Sequence, residues 1–276
     1  MGSYWSKVEK KSLILCGGGV CGMAHVAAYA AFESKGIVFT NFAGASIGSV
    51  IAAFASVRAT SEQMKKFMDF DFRTLLDDDY GFVRDDYRLW YECGYYKGDV
   101  LQNKIEKFIF DLTGIGKLTF AKAHELFGTT LKMPVTHVWK SGCETKIYSW
   151  EETPDDVISS TCRMSCTYPG MFRSLGSTSD GGLFCNYPEH LFPAEGRVGI
   201  LFEHKKNVEE KIPVSNIGEY LTSIVGDLHS KAQPVVNPLT TIVIPVNISS
   251  TNFKATTEEL QTLYDNSYNS VLAKCV

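Results

Sequence analysis

Short apolar segments that end at glycine or serine turns dominate the first sixty residues of this chain. Ser12–Cys16 is apolar almost throughout and is followed directly by glycines, which is typical of a buried parallel strand. Residues 22–32 are small and apolar and favour a helix, and Gly36 is placed to stop it. Val38–Phe42 predicts a second strand, and Ser46–Val57 predicts the helix behind it. This alternation predicts an α/β fold with its reactive turns at the carboxyl ends of parallel strands.

The rest of the chain continues the alternation of helices and strands. Asp99, Thr119 and Thr153 are predicted helix N-caps, and Pro154 fits the first turn of the third helix. Alternating polar and apolar residues around a turn at 141–143 predict two adjoining strands. The predicted helices are 99–112, 119–127, 153–166 and one that begins at Thr256, and the predicted strands are 131–139, 146–150, 198–202 and 241–246.

Length and composition predict one large domain. The chain has 276 residues, of which 45% are hydrophobic, enough for a single sizeable core. We therefore expect an N-terminal tail at 1–11 and a single domain at 12–276. The longest stretch of low polarity, Ala43–Val57, is shorter than the roughly 20 residues that a membrane-spanning helix needs, so no transmembrane segment is predicted.

Charge and cysteine content narrow the class of protein. The net charge is -4, which argues against nucleic-acid binding because phosphate neutralisation requires a concentrated basic face. The 8 cysteines are scattered without paired C-x-x-C spacing and without a signal peptide, so we expect neither a zinc site nor disulfides. This pattern predicts a reduced, cytoplasmic protein.

The N-terminus matches a lipidation pattern. Met1–Ser6 fits the M-G-x-x-x-[ST] consensus, with Gly2 as the acceptor of myristate. One acyl chain anchors only weakly, so Lys7, Lys10 and Lys11 would have to supply a second, electrostatic signal. The alternative is an ordinary polar N-terminus. With Gly2 modified, we expect peripheral contact with a membrane or lipid droplet.

Two glycine motifs suggest a serine hydrolase. The pentapeptide 44–48 has the pattern of a nucleophile elbow, a sharp strand-to-helix turn that exposes the hydroxyl of Ser46. The run 17–22 contains successive glycines whose N–H groups could stabilise the oxyanion formed at an ester carbonyl. Each motif has an alternative: close packing of a small-residue helix for the pentapeptide, and phosphate binding in a dinucleotide site for the glycine run. No acidic residue is well placed for a ribose at the end of the second strand, which weighs against a dinucleotide.

Three further segments complete a family pattern. They are Arg163–Phe172, Ser179–Leu183 and Asn186–Pro188. Together with the glycine motifs they resemble the patatin-like phospholipase family over residues 12–190. The resemblance implies a three-layer α/β/α sandwich with a mostly parallel central sheet, and a Ser-Asp dyad that needs no histidine, metal or cofactor. It assigns Ser46 as nucleophile, Asp180 as general base, and Gly17, Gly18, Gly19 and Gly22 to the oxyanion hole.

The resemblance implies a lipid acyl hydrolase of the phospholipase A type, acting on a phospholipid or another acyl lipid. Three alternatives stay open: a lipase or transacylase on neutral lipids, an esterase of small soluble substrates, and a catalytically inactive lipid-binding protein. The family often has Arg or Lys where this chain has Cys21, so help with a substrate phosphate is in doubt.

Other side chains offer competing interpretations. Cys21 could be proposed as a nucleophile, although no activating partner is near in sequence. His25, His190 or His229 could serve as the base of a triad. Aromatic residues concentrated at 67–96 could form a cap that holds acyl chains, or they could be ordinary core. Asp77, Asp78 and Asp79 favour a solvated loop within that segment.

Overall fold

The computed structural model describes residues 11–77, 82–204, 223–224 and 236–275. The strands are β1 Ser12–Leu15, β2 Asn41–Gly44, β3 Gly94–Tyr96, β4 Thr130–Trp139, β5 Gly142–Tyr148, β6 Gly170–Phe172, β7 Thr178–Ser179, β8 Arg197–His204 and β9 Thr241–Val246. The helices are α1 Gly22–Ser34, α2 Ile47–Ser56, α3 Ser61–Met68, α4 Phe82–Tyr91, α5 Asp99–Thr113, α6 Phe120–Phe127, α7 Ile158–Ser165, α8 Gly182–Cys185 and α9 Thr257–Leu272. Short 3-10 turns lie at Gly19–Cys21, Phe72–Leu75 and Glu189–Leu191.

A mostly parallel sheet forms the centre of the molecule. Its strand order is β5-β4-β2-β1-β8-β9, and β7 pairs separately with β4. The pairs β1–β2, β1–β8, β2–β4 and β8–β9 are parallel, whereas β5 and β7 run antiparallel to β4. A small second sheet pairs β3 with β6. The expected α/β class with a mostly parallel central sheet is confirmed.

Helices cover the sheet and account for the apolar character of β1. All four residues of β1 are buried, as expected for a strand with neighbours on both edges and helices packed against it. Every residue of α2 is also buried, and α2 packs against β1, β2 and β4. Its small side chains, such as Ala52 and Ala53, allow that close approach. Helix α9 packs along α1 and also contacts β9.

Three element boundaries predicted from sequence are wrong by three residues or more at their N-terminal ends. The strand predicted from Lys146 begins at Gly142, because antiparallel pairing with β4 extends to Trp139. The second strand begins at Asn41 and not at Val38, whose side chain is 67% exposed, because pairing with β1 sets Asn41 opposite Ser12. The helix predicted from Thr153 begins at Ile158. The Thr153 N–H and hydroxyl bond back to the Ser149 carbonyl, at 2.8 and 3.3 Å, which closes a turn and does not cap a helix.

Of the other predicted helix N-caps, two are confirmed and one is wrong. Thr119 caps α6 through the Lys122 N–H, and Thr256 caps α9 in a reciprocal capping box with Glu259. Asp99 was expected to cap α5, but Gly98 occupies that position in a left-handed conformation, with φ 73°. Asp99 instead accepts a hydrogen bond from Arg173 at 2.8 Å.

The sheet register brings three loops to one edge. Leu15 and Gly44 are partners at the ends of β1 and β2, so the glycine run and the serine turn leave adjacent strands at the same edge. Strand β7 pairs with β4, with Ser179 opposite Thr136, and therefore delivers Asp180 to the same region. The Thr136 hydroxyl donates to the Asp180 carbonyl at 2.8 Å and fixes that turn.

Within the described ranges, no helix combines the length and apolarity needed to cross a membrane. Gly2, the predicted lipidation site, lies outside the described residues.

Gly48 provides a test of how tightly the serine turn packs on β1. A Cβ added at Gly48 would lie 2.5 Å from both the Leu15 and Cys16 carbonyl oxygens, so Gly48→Ala must displace backbone. We expect it to lower the free energy of unfolding by about 2 kcal/mol or more, measured by urea denaturation. Gly116→Ala is the matched control, because its Cβ would have only the Glu106 carboxylate nearby, at 3.9 Å. Equal stability of the two variants would contradict the packing described.

Candidate active site

Ser46 occupies a strained turn between β2 and α2. Its φ of 50° and ψ of -127° are unusual for a residue with a side chain, and strain of this kind costs about 1–3 kcal/mol. The flanking glycines make the turn feasible, because a Cβ on Gly44 would overlap the Gly48 backbone. The spacing of the pentapeptide is thus a packing requirement that holds the Ser46 hydroxyl at the start of α2.

Ser165 anchors the serine turn to its surroundings. Its buried hydroxyl accepts a hydrogen bond from the Ser46 N–H at 3.0 Å and donates to the Pro134 carbonyl at 2.8 Å. Its own carbonyl accepts from the Gly181 N–H at 3.1 Å. Ser165 therefore connects the serine turn, β4 and the aspartate turn. The sequence motif contains Ser165, but the motif alone gave it no role.

Ser46 and Asp180 are in direct contact. The Ser46 Oγ donates to the Asp180 Oδ2 at 2.8 Å, and the Gly182 N–H donates to the Asp180 Oδ1 at 2.7 Å. Asp180 is only 2% exposed, and this burial raises its pKa from 3.8 to about 7, against the opposing effect of the two hydrogen bonds. A carboxylate with such a pKa is well matched to accept a proton near neutral pH.

A buried arginine supports the aspartate turn from behind. The Asp180 N–H donates to the Thr167 carbonyl at 2.8 Å, and the Thr167 hydroxyl accepts from the Arg163 guanidinium, also at 2.8 Å. Arg163 is fully buried, which lowers its pKa to about 10. It further donates to the carbonyls of Gly98, Lys97 and Arg173. Arg163 thus fixes the turn through backbone acceptors and makes no contact with the reacting atoms.

The glycine run supplies fewer unpaired backbone N–H groups for an oxyanion hole than the sequence predicted. The Gly17 N–H donates to the Asn186 carbonyl at 3.0 Å, and the Gly22 N–H donates to the Gly19 carbonyl as α1 begins. Both groups are therefore committed within the protein, and the assignment of Gly17 and Gly22 as oxyanion donors is corrected. The N–H groups of Gly18 and Gly19 have no hydrogen-bond partner in the described part of the chain.

The segment after β9 holds the glycine run in place. The Val20 N–H donates to the Ser250 carbonyl at 3.0 Å, and the Cys21 thiol donates to the Ile248 carbonyl at 3.3 Å. A Cβ on Gly19 would overlap the Ser250 carbonyl, and Gly19 has a φ of 52° that favours glycine. This contact joins positions far apart in sequence, so no local pattern could have indicated it.

Cys21, His25 and His190 are not placed for the competing roles of nucleophile or base. Burial raises the pKa of the Cys21 thiol to about 12, which disfavours a reactive thiolate. The His25 Nε2 contacts the Cys16 carbonyl at 2.7 Å, and burial lowers the pKa of this imidazole to about 4. His190 is exposed in a 3-10 turn, and His229 lies outside the described residues. No histidine of the described residues forms a hydrogen bond with Ser46 or Asp180.

A large groove opens above Ser46 and Asp180. It has a volume of about 1260 Å³ and is also bordered by Gly17, Gly18 and Gly19. Many of its walls are apolar, and none of the described residues that line it is Lys or Arg. The apolar lining includes Phe72, Leu75, Leu101, Met171, Phe172 and Phe253. A groove of this size and character suits a long hydrocarbon chain.

The aromatic cluster at 67–96 serves more than one purpose. Phe67 packs edge-on against Phe54 and Phe108 in the core, whereas Phe72 lines the groove. Trp90 and Tyr91 of α4 are 80% and 73% exposed. The interpretation as core therefore fits Phe67, and the interpretation as a cap fits Phe72 and the exposed aromatic residues of α4. Asp78, Asp79, Tyr80 and the side chain of Phe82 lie outside the described residues.

No cluster of three or more His, Cys, Asp or Glu side chains that could hold a metal ion is found within the described ranges.

The burial of Asp180 predicts a pH-dependent stability difference. Because its pKa is raised in the folded state, the native protein binds more protons than the unfolded chain between pH 3.8 and about 7. Stability from this group is therefore lost as the pH rises through that window. We expect the stability advantage of Asp180→Asn over wild type to be larger at pH 8 than at pH 4.5 by on the order of 3 kcal/mol, measured by urea unfolding.

Asp155→Asn, on an exposed turn, is the control for loss of a surface carboxylate. A difference between Asp180→Asn and wild type that is the same at both pH values would show that burial does not perturb Asp180.

Known proteins resemble this chain in sequence and in fold. A family model described as patatin-like phospholipase matches residues 13–193. The uncharacterized protein R571 of Acanthamoeba polyphaga mimivirus is 29% identical, covering 96% of this chain and 94% of that protein. Triacylglycerol lipase SDP1L of Arabidopsis thaliana is 25% identical, covering 83% of this chain but 28% of the lipase. The crystal structure of VipD from Legionella pneumophila has the same fold, with a TM-score of 0.65, 18% identity, and coverage of 97% of this chain and 67% of VipD.

The family match spans well over half of the chain and contains the glycine run, the serine turn and the aspartate turn described above. The solved structure shares the α/β fold described above, with its mostly parallel sheet. This chain therefore belongs to the patatin-like phospholipase family.

Proposed function

We propose that this protein is a lipid acyl hydrolase of the phospholipase A type that uses Ser46 as nucleophile and Asp180 as general base. The observation that carries the proposal is the 2.8 Å hydrogen bond from the Ser46 Oγ to the Asp180 Oδ2 at the base of an apolar groove. Family membership supports lipid hydrolysis in general. The geometry of the site supports this particular pair of residues.

The proposed reaction proceeds through an acyl-enzyme. Asp180 accepts the Ser46 proton as the Ser46 Oγ attacks the ester carbonyl, and the carbonyl oxygen becomes an oxyanion. The free N–H groups of Gly18 and Gly19 donate to that oxygen, and the N-terminus of α2 adds a favourable electrostatic field. Asp180 then returns the proton to the departing alkoxide. In the second half, water attacks the acyl-serine with Asp180 again as base, which releases the fatty acid.

A neutral-lipid lipase or transacylase is the second candidate, and three observations favour it. The described lining of the groove has no Lys or Arg to meet a phosphate. Cys21, where many relatives have a cation, instead donates its thiol proton to a backbone carbonyl. A relative with the name triacylglycerol lipase covers most of this chain. Phospholipid hydrolysis would then rely on headgroup contacts outside the described groove.

We further propose that the protein contacts a lipid surface peripherally from the cytoplasm. Tyr87, Trp90 and Tyr91 lie on one exposed face of α4, at helical spacings of three and four residues. Tyr and Trp are the aromatic side chains that prefer the boundary between water and lipid. The cytoplasmic location and the myristoylation of Gly2 stay predictions from sequence.

The dyad predicts complete dependence on both side chains. Ser46→Ala removes the nucleophile and Asp180→Asn removes the base, so each should reduce release of fatty acid by at least about 1,000-fold. A fluorophosphonate probe should label wild type at Ser46 and fail to label Ser46→Ala, as read by peptide mass spectrometry. Ser249→Ala, an exposed serine on the lining of the same groove, is the matched control and should keep wild-type activity.

Substantial turnover by Ser46→Ala or Asp180→Asn would refute the dyad. A wild-type protein that binds lipid vesicles but neither hydrolyses esters nor reacts with the probe would identify a catalytically inactive lipid-binding protein. Phosphatidylcholine vesicles, triacylglycerol emulsions and short soluble esters, with products identified by mass spectrometry, separate the phospholipase from the lipase and the small-ester esterase.

A further inference from the structure

Asn186 joins the aspartate turn to the glycine run. It directly follows α8, the short helix that begins two residues after Asp180. Its main-chain carbonyl accepts the Gly17 N–H at 3.0 Å. Asn186 is therefore fixed beside the oxyanion region by a backbone contact that does not involve its side chain.

The carboxamide of Asn186 lies close to both Ser46 and Asp180. Its Oδ1 directly adjoins the position that a Cβ on Gly17 would occupy, and that position is 3.2 Å from the Ser46 Cβ. On the other side, the position of a Cβ on Gly182 is 2.8 Å from the Asn186 Oδ1 and 3.0 Å from the Asp180 Oδ1. Glycine at both positions is thus what leaves room for this side chain.

The same carboxamide has no hydrogen-bond partner among the described residues, and Asn186 lines the groove. An asparagine side chain carries two donor hydrogens on Nδ2 and acceptor capacity on Oδ1. A half-buried amide that is fixed beside the nucleophile and bonded to nothing is available to a bound substrate. Polar groups that converge on a reacting centre in this way are typical of sites that stabilise developing charge.

We propose that Asn186 is a catalytic residue whose carboxamide, turned so that Nδ2 takes the place of Oδ1, donates to the oxyanion formed on the substrate carbonyl, alongside the N–H groups of Gly18 and Gly19. No described residue bonds to the carboxamide and holds Oδ1 in its present position. This inference rests on the proposed function, because it requires Ser46 to attack an ester. It accounts for the loss of Gly17 as a donor: the Asn186 carbonyl occupies the Gly17 N–H, and the Asn186 amide supplies a donor in its place.

An uncharged hydrogen-bond donor such as the Asn186 amide is also compatible with Asp180 acting as the base. A cationic side chain in this position would favour the charged form of Asp180 and lower its pKa, which would weaken it as a proton acceptor at neutral pH. The Asn186 amide stabilises the oxyanion without lowering the pKa of Asp180. This chain lacks a cation at Cys21 as well, and the nearby Arg163 guanidinium bonds to Thr167 and to backbone carbonyls and not to Asp180.

The test compares Asn186→Ala and Asn186→Leu with the control Asn269→Ala, an exposed asparagine of α9 that does not line the groove. Both Asn186 variants keep the main-chain carbonyl that holds Gly17, and Leu preserves much of the side-chain volume. With a short soluble ester, we expect kcat to fall about 100-fold in both variants, because loss of one oxyanion donor costs about that much, while KM stays within about twofold. Asn269→Ala should match wild type.

A transition-state analogue separates this role from a structural one. A fatty-alkyl trifluoromethyl ketone adds the Ser46 Oγ to its carbonyl carbon and moves the Ser46 proton to Asp180, leaving an oxyanion in the hole. Its affinity should fall by the same factor as kcat in both Asn186 variants. The affinity of an ether analogue of the substrate, which has no carbonyl, should not change. Urea midpoints confirm that each variant is folded.

Three results would overturn the proposal. The first is wild-type kcat and ketone affinity in both Asn186 variants. The second is a rise in KM alone, which would identify a substrate-binding contact. The third is a shifted pH-rate profile with full activity restored at another pH, which would make Asn186 a positioning residue for Asp180. Failure of the proposed function is distinguishable, because it would show as ester hydrolysis that persists in Ser46→Ala.

Discussion

The parallel pairing of β1 with β2 determines where chemistry can occur in this protein. Because Leu15 and Gly44 are partners at the ends of these strands, the glycine run and the serine turn emerge side by side. The turn can then approach β1 only if position 48 has no side chain, since a Cβ there would meet the carbonyl oxygens of Leu15 and Cys16. Backbone packing therefore holds Ser46 in a strained conformation, and the surrounding buried core compensates for the strain.

The burial of Asp180 raises the proton affinity of its carboxylate. A carboxylate in a dry site is disfavoured, so its affinity for a proton rises into the range that a base needs at neutral pH. The hydrogen bonds from Ser46 and Gly182 limit this effect and orient both carboxylate oxygens. Ser165, Thr167 and Arg163 hold the backbone of the aspartate turn, each through buried hydrogen bonds. In the proposed mechanism, Asp180 takes the Ser46 proton without an imidazole.

Much of the fold followed from sequence because its signals are local. Strand β1 is a continuous apolar segment ending at glycines, and Thr119 and Thr256 are caps that act within one helical turn. Errors at strand starts arose where pairing between strands decides, because pairing with β1 sets the start of β2 at Asn41 and pairing with β4 sets that of β5 at Gly142. The error at Thr153 is local, because its N–H and hydroxyl bond to the Ser149 carbonyl and close a turn. At the site, motif spacing predicted Ser46 and Asp180, whose side chains are in direct contact in the structure. It could not show that Asn186 occupies the Gly17 N–H or that Ser250 holds the glycine run, because those bonds depend on tertiary packing.

Direct titration of the Asp180 carboxyl group tests the central claim, that burial alone converts this aspartate into a base. Carbon-13 NMR of protein labelled at the aspartate carboxyl carbons, recorded across the pH range, would follow each group separately. The account predicts one resonance with a midpoint at a pH of about 7 that disappears in Asp180→Asn. An Asp180 resonance that titrates at a pH of about 4, as in an exposed aspartate, would contradict it.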